Sequence, residues 1–363
     1  MKTLHGSFEF KEQRFVLADG SCGRYLRHTG QGRISCGLRE LCLYYSNRLS
    51  FAEVGKLLER LSGERLLCKQ TLCNWVRQKA GELSAALRSE VAATEELAIP
   101  AFSEKADIYD EKAEEVLVMT DAIQVKAQKG THQSSEGGAC VDGHKHNKKV
   151  KRISTEMMLL ESRDGSFRHL CGGLDETVNL QELARSHLRR EWVPNAGPLP
   201  MVAITDGARS LRLMLEELFG ASVRVILDWY HLAKRTYQLL SMVAYSSKQR
   251  EQMQKRVLSL LWRGNVGQAL SFLGGVEARR KKALEELVGY LQKHASEIID
   301  YERRAKAGKT IGSGRMEKAL DRAVGARQKR KGMSWSEGGS GALALLKVVE
   351  LNGEWDELWT EAA

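Results

Sequence analysis

The stretch VLVMTDAIQVK, Val116 to Lys126, decides how the chain folds. Val116, Leu117, Val118 and Met119 form a short apolar run without polar alternation. That is the pattern of a strand covered on both faces, and Thr120-Asp121 ends it. Ala122 to Gln128 continues as a second strand, and Ser154 to Glu161 reads as a third, turned at Gly165. Asn179 to Trp192 carries an amphipathic stripe of Leu180, Leu183, Leu188 and Trp192. Pro200 to Thr205 is a strand ending in Asp206-Gly207. A helix from Arg209 to Phe219 and a strand from Val223 to Leu227, ending in Asp228, follow. The order β-β-β-α-β-α-β predicts an α/β fold with a mixed sheet. Residues 129–151 are rich in Gly, Ser, His and Lys and read as a flexible loop; His144 and His146 there are expected to be solvated.

Downstream of the sheet, residues 229–308 show helical periodicity only. Stripes at Leu239 and Val243, at Leu258, Leu261 and Trp262, and at Leu284, Leu287, Val288 and Leu291 are separated by glycine breaks. This block is too long for one crossover and predicts an all-α insertion. The chain then returns with IGSGRMEKALDRAVGARQKRKGMSW, Ile311 to Trp335, where a helix carries Glu317 in its first turn. Between Arg315 and Lys331 there are seven Lys or Arg and two acids. Residues 341–355 read as a last helix.

Upstream, residues 1–33 read as a small β arm. Residues 34–97 are helical, with a stripe at Leu38, Leu41, Cys42 and Tyr45 and a capping box from Ser50 to Glu53. A third helix, capped at Gln70-Thr71, carries Thr71, Asn74, Arg77, Gln78 and Lys79. Three helices with a short link match a helix-turn-helix, whose last helix presents polar side chains to a DNA groove. A helical hairpin with a solvated face fits the same periodicity. Residues 98–114 are expected to be a helical connector. The reading thus divides the chain into an arm (1–33), a helix-turn-helix (34–97), a connector (98–114), a first core segment (115–228), an α-helical insertion (229–308) and closing core helices (309–363).

The chain has 363 residues, enough for two or three domains. Its formal charge of +10 is moderate and is compatible with an anionic partner without requiring one. Seven cysteines with no CxxC predict reduced, mostly buried thiols. No signal-peptide pattern and no membrane-length apolar run occur, so a cytoplasmic protein without a membrane partner is expected.

The chemistry is expected where strands end. If the first three strands form a meander and a right-handed crossover follows, the fourth strand lies parallel beside the first. Asp121 and Asp206 are then neighbours, and Glu317 can close the cluster. Clustered carboxylates repel one another unless a cation shares them, and Mg²⁺ favours oxygen ligands. Asp228 is the alternative second ligand; it sits one strand further out and is well placed as a helix N-cap, so Asp206 is preferred. Each acid also has a plain structural role open to it: a turn for Asp206, a solvated strand end for Asp121, dipole complementation for Glu317.

MTDAIQVK at 119–126, AITDGARSL at 203–211, ILDWYHLAK at 226–234 and the 311–335 segment together resemble the DDE transposases of bacterial insertion sequences, nearest the ISKra-type and ISLre-type groups and more distantly the Mutator-like enzymes. The resemblance covers most of the chain. It implies an RNase H-like core interrupted by a helical insertion, and a catalytic and metal-binding triad of Asp121, Asp206 and Glu317 holding two Mg²⁺ or Mn²⁺. Asp228 and His231 match the Asp-x-x-His signature as supporting residues. One departure from relatives is Ala122, where Gly usually follows the first Asp. The implied reaction is cleavage of DNA at element ends followed by strand transfer. Thr71, Asn74, Arg77 and Lys79 would recognise terminal repeats. Arg327, Lys329, Arg330 and Lys331 would neutralise phosphates, and Trp335 or Trp229 could stack a base. The partners are then DNA and a second copy of the chain, in a nucleoid-associated dimer or larger assembly. A nuclease or resolvase without joining activity, and a non-catalytic DNA-binding derivative, are the alternatives.

Overall fold

Val116–Lys126 is one strand, β1, rather than the expected two. A computed structural model describes residues 1–9, 14–16, 22–24, 34–129, 151–192 and 197–360. Along β1 the residues are buried continuously as far as Thr120 and then alternate, which is why the sequence reads as a break there. The physical cause is a change of neighbours. From Val116 to Met119, β1 has a parallel neighbour, and from Val118 an antiparallel one on its other side. Beyond Asp121 it pairs only with β2, Arg152–Glu161.

The meander is completed by β3, Phe167–Cys171, a strand the sequence did not announce because FRHLC is short and partly polar. Gly165, with φ +77°, turns β2 into it. Then come α4 (Leu180–Glu191), β4 (Leu199–Thr205), α5 (Arg209–Phe219) and β5 (Arg224–Leu227). The sheet order is β5-β4-β1-β2-β3; β2 and β3 continue antiparallel, while β4 and β5 run parallel to β1. The expected placement of the fourth strand beside the first is therefore observed. Phe102–Ser103 adds a short sixth strand on Leu199–Pro200.

Alternate residues of the central strands feed two cores. Val116, Val118, Met158, Leu160, Met201 and Ala203 pack against α4 and α5. Leu117, Met119, Met157, Leu159, Val202 and Ile204 belong to a larger core on the other face. That core is continuous with helices α1 (Cys36–Ser46), α2 (Phe51–Ser62) and α3 (Lys69–Thr94) at the N-terminal side. The capping box at Ser50 forms as read. Two corrections apply here. Helix α3 starts at Lys69 after an N-cap, Cys68, that makes no side-chain capping bond, and it runs on to Thr94. Residues 98–114 contain no helix. Pro100 and the pairing of Phe102–Ser103 with β4 replace the helical ladder there with turns and a strand contact.

The insertion is helical as read: α6 (Trp229–Val243), α7 (Ser247–Trp262), α8 (Val266–Gly274), α9 (Lys281–Lys293) and α10 (Tyr301–Lys306). Its exit is fastened to the start of β1. Arg304, fully buried, donates through Nη2 to Glu115 Oε1 at 2.7 Å and through Nη1 to Glu115 Oε2 at 3.0 Å; Lys309 Nζ reaches the same carboxylate at 3.2 Å. The re-entrant helix is α11 (Gly314–Leu320), which passes through a π-turn, Asp321–Gly325, into α12 (Ala326–Gln328). Helix α13 (Glu337–Leu351) packs on α3, and α14 (Glu357–Thr360) follows it.

Two antiparallel ribbons, Lys2–Thr3 with Gly6–Ser7 and Arg14–Val16 with Cys22–Arg24, make up the described part of the N-terminal arm. Most of the expected 129–151 loop, with His144, His146 and Cys140, lies outside the described residues. Among the described residues no helix is long and apolar enough to cross a membrane.

Candidate active site

The last parallel pair between β1 and β4 is Met119 with Ile204. Two residues further along each strand stand Asp121 and Asp206. The shared register therefore carries both carboxylates to the same edge of the sheet. The Ala122 N–H donates to Asp121 Oδ1 at 2.7 Å, and the Ala208 N–H donates to Asp206 Oδ1 at 2.7 Å. Asp121 is thus not at a strand end, as expected from sequence, but at the point where β1 loses its parallel neighbour. Burial pushes its carboxyl above the usual range. The Ala122 amide opposes this, and the charges of Asp206 and Glu317 push further up while His231 pulls down. The four side chains share one electrostatic environment.

The turn after Asp206 needs glycine. Gly207 has φ +84°, and a Cβ there would meet His294 Cε1 at 2.6 Å and Leu227 Cδ1 at 2.9 Å. His294 is buried and touches Glu297 through Nδ1 at 2.8 Å, while Arg212 of α5 pairs with Glu297. This cluster supports the Asp206 turn from below. It has no sequence signature, since Arg212 and His294 are brought together only by the insertion folding back on β4 and β5.

Asp228 does the N-capping that its position suggested, and more. Its Oδ1 accepts from the amides of Tyr230 at 2.6 Å and His231 at 3.2 Å at the start of α6. Its Oδ2 accepts from the Ser313 amide at 2.6 Å and from the Ser313 hydroxyl. One buried carboxylate therefore ties the first turn of the insertion to the residue that precedes the Glu317 helix. Burial works to raise the Asp228 carboxyl, but the His231 ring, the Ser313 hydroxyl and the amides outweigh it and hold it down at about 2. His231 Nδ1 lies 3.3 Å from Asp228 Oδ2. This contact, with the fields of Asp228, Asp206 and Glu317, raises the imidazole against the opposing effect of burial. Ser313, which no sequence pattern singles out, is buried and fixed by these bonds.

Glu317 lies on an exposed face of α11, which packs along β1. Among the described residues, no three His, Cys, Asp or Glu stand in an arrangement that holds a metal ion. The three carboxylates feel one another's charge without closing into a cage. Their chemistry nonetheless suits a hard cation: all donors are carboxylate oxygens, and the repulsion that adds to burial in lifting Asp121 is what such an ion relieves.

The residues expected to contact DNA divide into two groups. Asn74, Arg77, Lys329, Arg330 and Lys331 are exposed, and Thr71 is half-buried. Lys79 is engaged within the molecule, 3.3 Å from Glu82 and over the Trp359 ring at 5.0 Å. Arg327 is not part of an exposed track. It is 3% exposed, donates from Nε to Ser46 O at 2.8 Å, and lies over the Trp335 ring at 4.9 Å; burial lowers it to about 10. Trp335 is also buried and donates from Nε1 to Gln328 O at 3.0 Å, so base stacking is not its role. Trp229 is held against Trp262 and Tyr301 at ring distances of 4.8 and 5.1 Å. The exposed aromatic next to the carboxylates is Tyr230.

No protein-family model matches the chain, and no curated protein matches it.

Proposed function

We propose that the chain is a DNA-processing enzyme with an RNase H-like core, a DDE transposase of the insertion-sequence kind. The observation that carries this reading is the parallel register of β1 and β4, which brings Asp121 and Asp206 to one edge with Glu317 and His231 in their field. The meander-then-crossover order of the sheet and the helical block between β5 and α11 agree with it.

Asp121, Asp206 and Glu317 would hold two Mg²⁺ or Mn²⁺. When bound, such ions polarise the attacking oxygen and stabilise the leaving oxygen of a phosphodiester. The protein's own contribution is placement. The Ala122 and Ala208 amides fix two carboxylates, and Asp228 fixes the approach of the third through Ser313. His231, favoured in its charged form, offsets part of the carboxylate repulsion and offers an N–H to a phosphate oxygen. The three N-terminal helices and the exposed Lys329, Arg330 and Lys331 supply surface for the duplex. Paired element ends call for a dimer or larger assembly.

Asp121→Asn, Asp206→Asn and Glu317→Gln should each lower cleavage and strand joining roughly 10³-fold, a loss of about 4 kcal/mol of transition-state stabilisation, while duplex binding stays within a few-fold. Assays with nicked and pre-cut ends in Mg²⁺ or Mn²⁺ measure this; full activity in all three variants would sink the catalytic reading. The open spacing of the carboxylates favours one competitor, a non-catalytic DNA-binding derivative, for which wild-type and Glu317→Gln bind DNA alike and neither cuts it.

A further inference from the structure

A cavity of about 400 Å³ lies at the seam between the N-terminal helices and the core, away from the carboxylates. Lys69, Gln70 and Arg77 of α3 line one side, and Arg327, Trp335 and Ser336 line the other. No Asp or Glu lines it. The starts of three helices face it: α2 at Ser50 and Phe51, α3 at Lys69 and Gln70, and α13 at Ser336 and Gly339. Of these, α3 is the one without a side-chain cap hydrogen bond, and the Cys68 thiol, 3.2 Å from Thr71 Oγ1, is the group that stands over the positive end of this 26-residue helix.

The second observation is Arg327. The residue is only 3% exposed, yet among the described residues no carboxylate pairs with it. Nε donates to Ser46 O and Nη1 to the Met333 sulfur at 3.1 Å, while Nη2 donates to no acceptor among the described residues. Glu53, the one carboxylate whose charge reaches it, is held by the Ser50 amide at 2.7 Å in the α2 capping box. A buried guanidinium without an anion is costly, and burial of this kind is ordinarily compensated. The Phe51 and Trp335 rings, 5.6 and 4.9 Å from the guanidinium, and Ser46 O offset part of that cost, while the wall of the cavity adds the remaining guanidinium N–H groups and two further cations, Lys69 and Arg77, with no anion among them.

We propose that this cavity is a phosphate-binding site that holds one backbone phosphate of bound DNA, locking the three-helix unit onto the core when DNA is engaged. The DNA assignment rests on the functional reading above; the anion chemistry does not. A phosphate seated here would touch both α3 and the Gly332–Ser336 loop, whose Trp335 amide bonds Lys126 O at the end of β1 at 2.9 Å. The site would therefore couple duplex binding to the strand that carries Asp121.

The test uses the full chain. Thermal shifts are recorded with inorganic phosphate and with pyrophosphate, and anisotropy is recorded with a labelled duplex across a salt series. Lys69→Ala/Arg77→Ala removes two cations at the mouth, together with the 2.9 Å bond from Arg77 Nη2 to Ser336 Oγ; Arg327→Gln removes the buried cation, and the double variant keeps the test valid if Arg327→Gln fails to fold. The proposal expects phosphate to raise the wild-type melting temperature, the double variant to lose that shift, and its salt slope for duplex binding to flatten by about one per cation lost. Loss of the phosphate shift with an unchanged duplex slope assigns the site to a free phosphate compound and overturns the DNA occupant. No phosphate shift in wild-type protein, with an unchanged slope in the variant, overturns the site altogether. Asp121→Asn measured alongside separates the two ideas, because its cleavage defect reports on the catalytic reading alone.

Discussion

At the residue scale, two residues, Asp228 and Gly207, fix the candidate site. Asp228 accepts hydrogen bonds from two helix starts at once, and its replacement by Asn leaves the Ser313 and α6 amides competing for one neutral acceptor. Asp228→Asn should cost about 2 kcal/mol of stability, read from denaturant unfolding. The pH dependence has a definite sign. The folded-state carboxyl is held at about 2, below its ordinary value, so its stabilisation is complete above about pH 4 and is lost as pH falls through about 2. The Asn variant should lack that acid limb. Gly207 is the second case. An alanine there meets both a positive φ and contacts below 3 Å, and Gly207→Ala should lose roughly 2–4 kcal/mol and shift the Asp206 turn. Neither the Ser313 bond nor the His294 contact could be read from the sequence, because each joins residues from distant segments.

At the element scale, the helices and strands were mostly legible where their burial follows a period. Helices α4, α5 and the insertion helices follow their apolar stripes, and α2 follows its capping box. Reading failed where a neighbour changed the period. Strand β1 is continuous because β2 pairs with it without a break from Val118 to Lys126, although its burial pattern switches at Asp121. Strand β3 exists because β2 offers an edge, and residues 98–114 are unwound by β4. The insertion's exit is set by Arg304, Lys309 and Glu115. Glu115→Gln leaves a fully buried guanidinium without its carboxylate, which should cost about 3–5 kcal/mol by thermal or denaturant unfolding. Replacing Glu302, whose pairs with Lys306 at 2.9 Å and Arg263 at 3.2 Å lie at the surface, should leave the unfolding midpoint nearly unchanged.

At the scale of the whole molecule, the three N-terminal helices share one core with the sheet. Helix α3 packs on α13, and Arg327 and Arg48 reach across to Ser46 O and Glu350 respectively. A single cooperative unfolding transition is expected, with fluorescence and far-UV signals coinciding. Removal of residues 1–97 should expose that shared core and produce dye binding and aggregation; a well-folded truncated protein would contradict this. The sequence by itself determined most of the segments that become helix or strand, through periodicity and caps that act over a few residues. It also determined that carboxylates stand at or near the ends of apolar runs. Only the tertiary structure decided that Asp121 and Asp206 share an edge, that Asp228 clamps Ser313, and that Arg327 turns inward to a cavity. The reason is physical: register, burial and charge fields are set by neighbours far away in the chain, and those neighbours exist only once the sheet and its helices have packed.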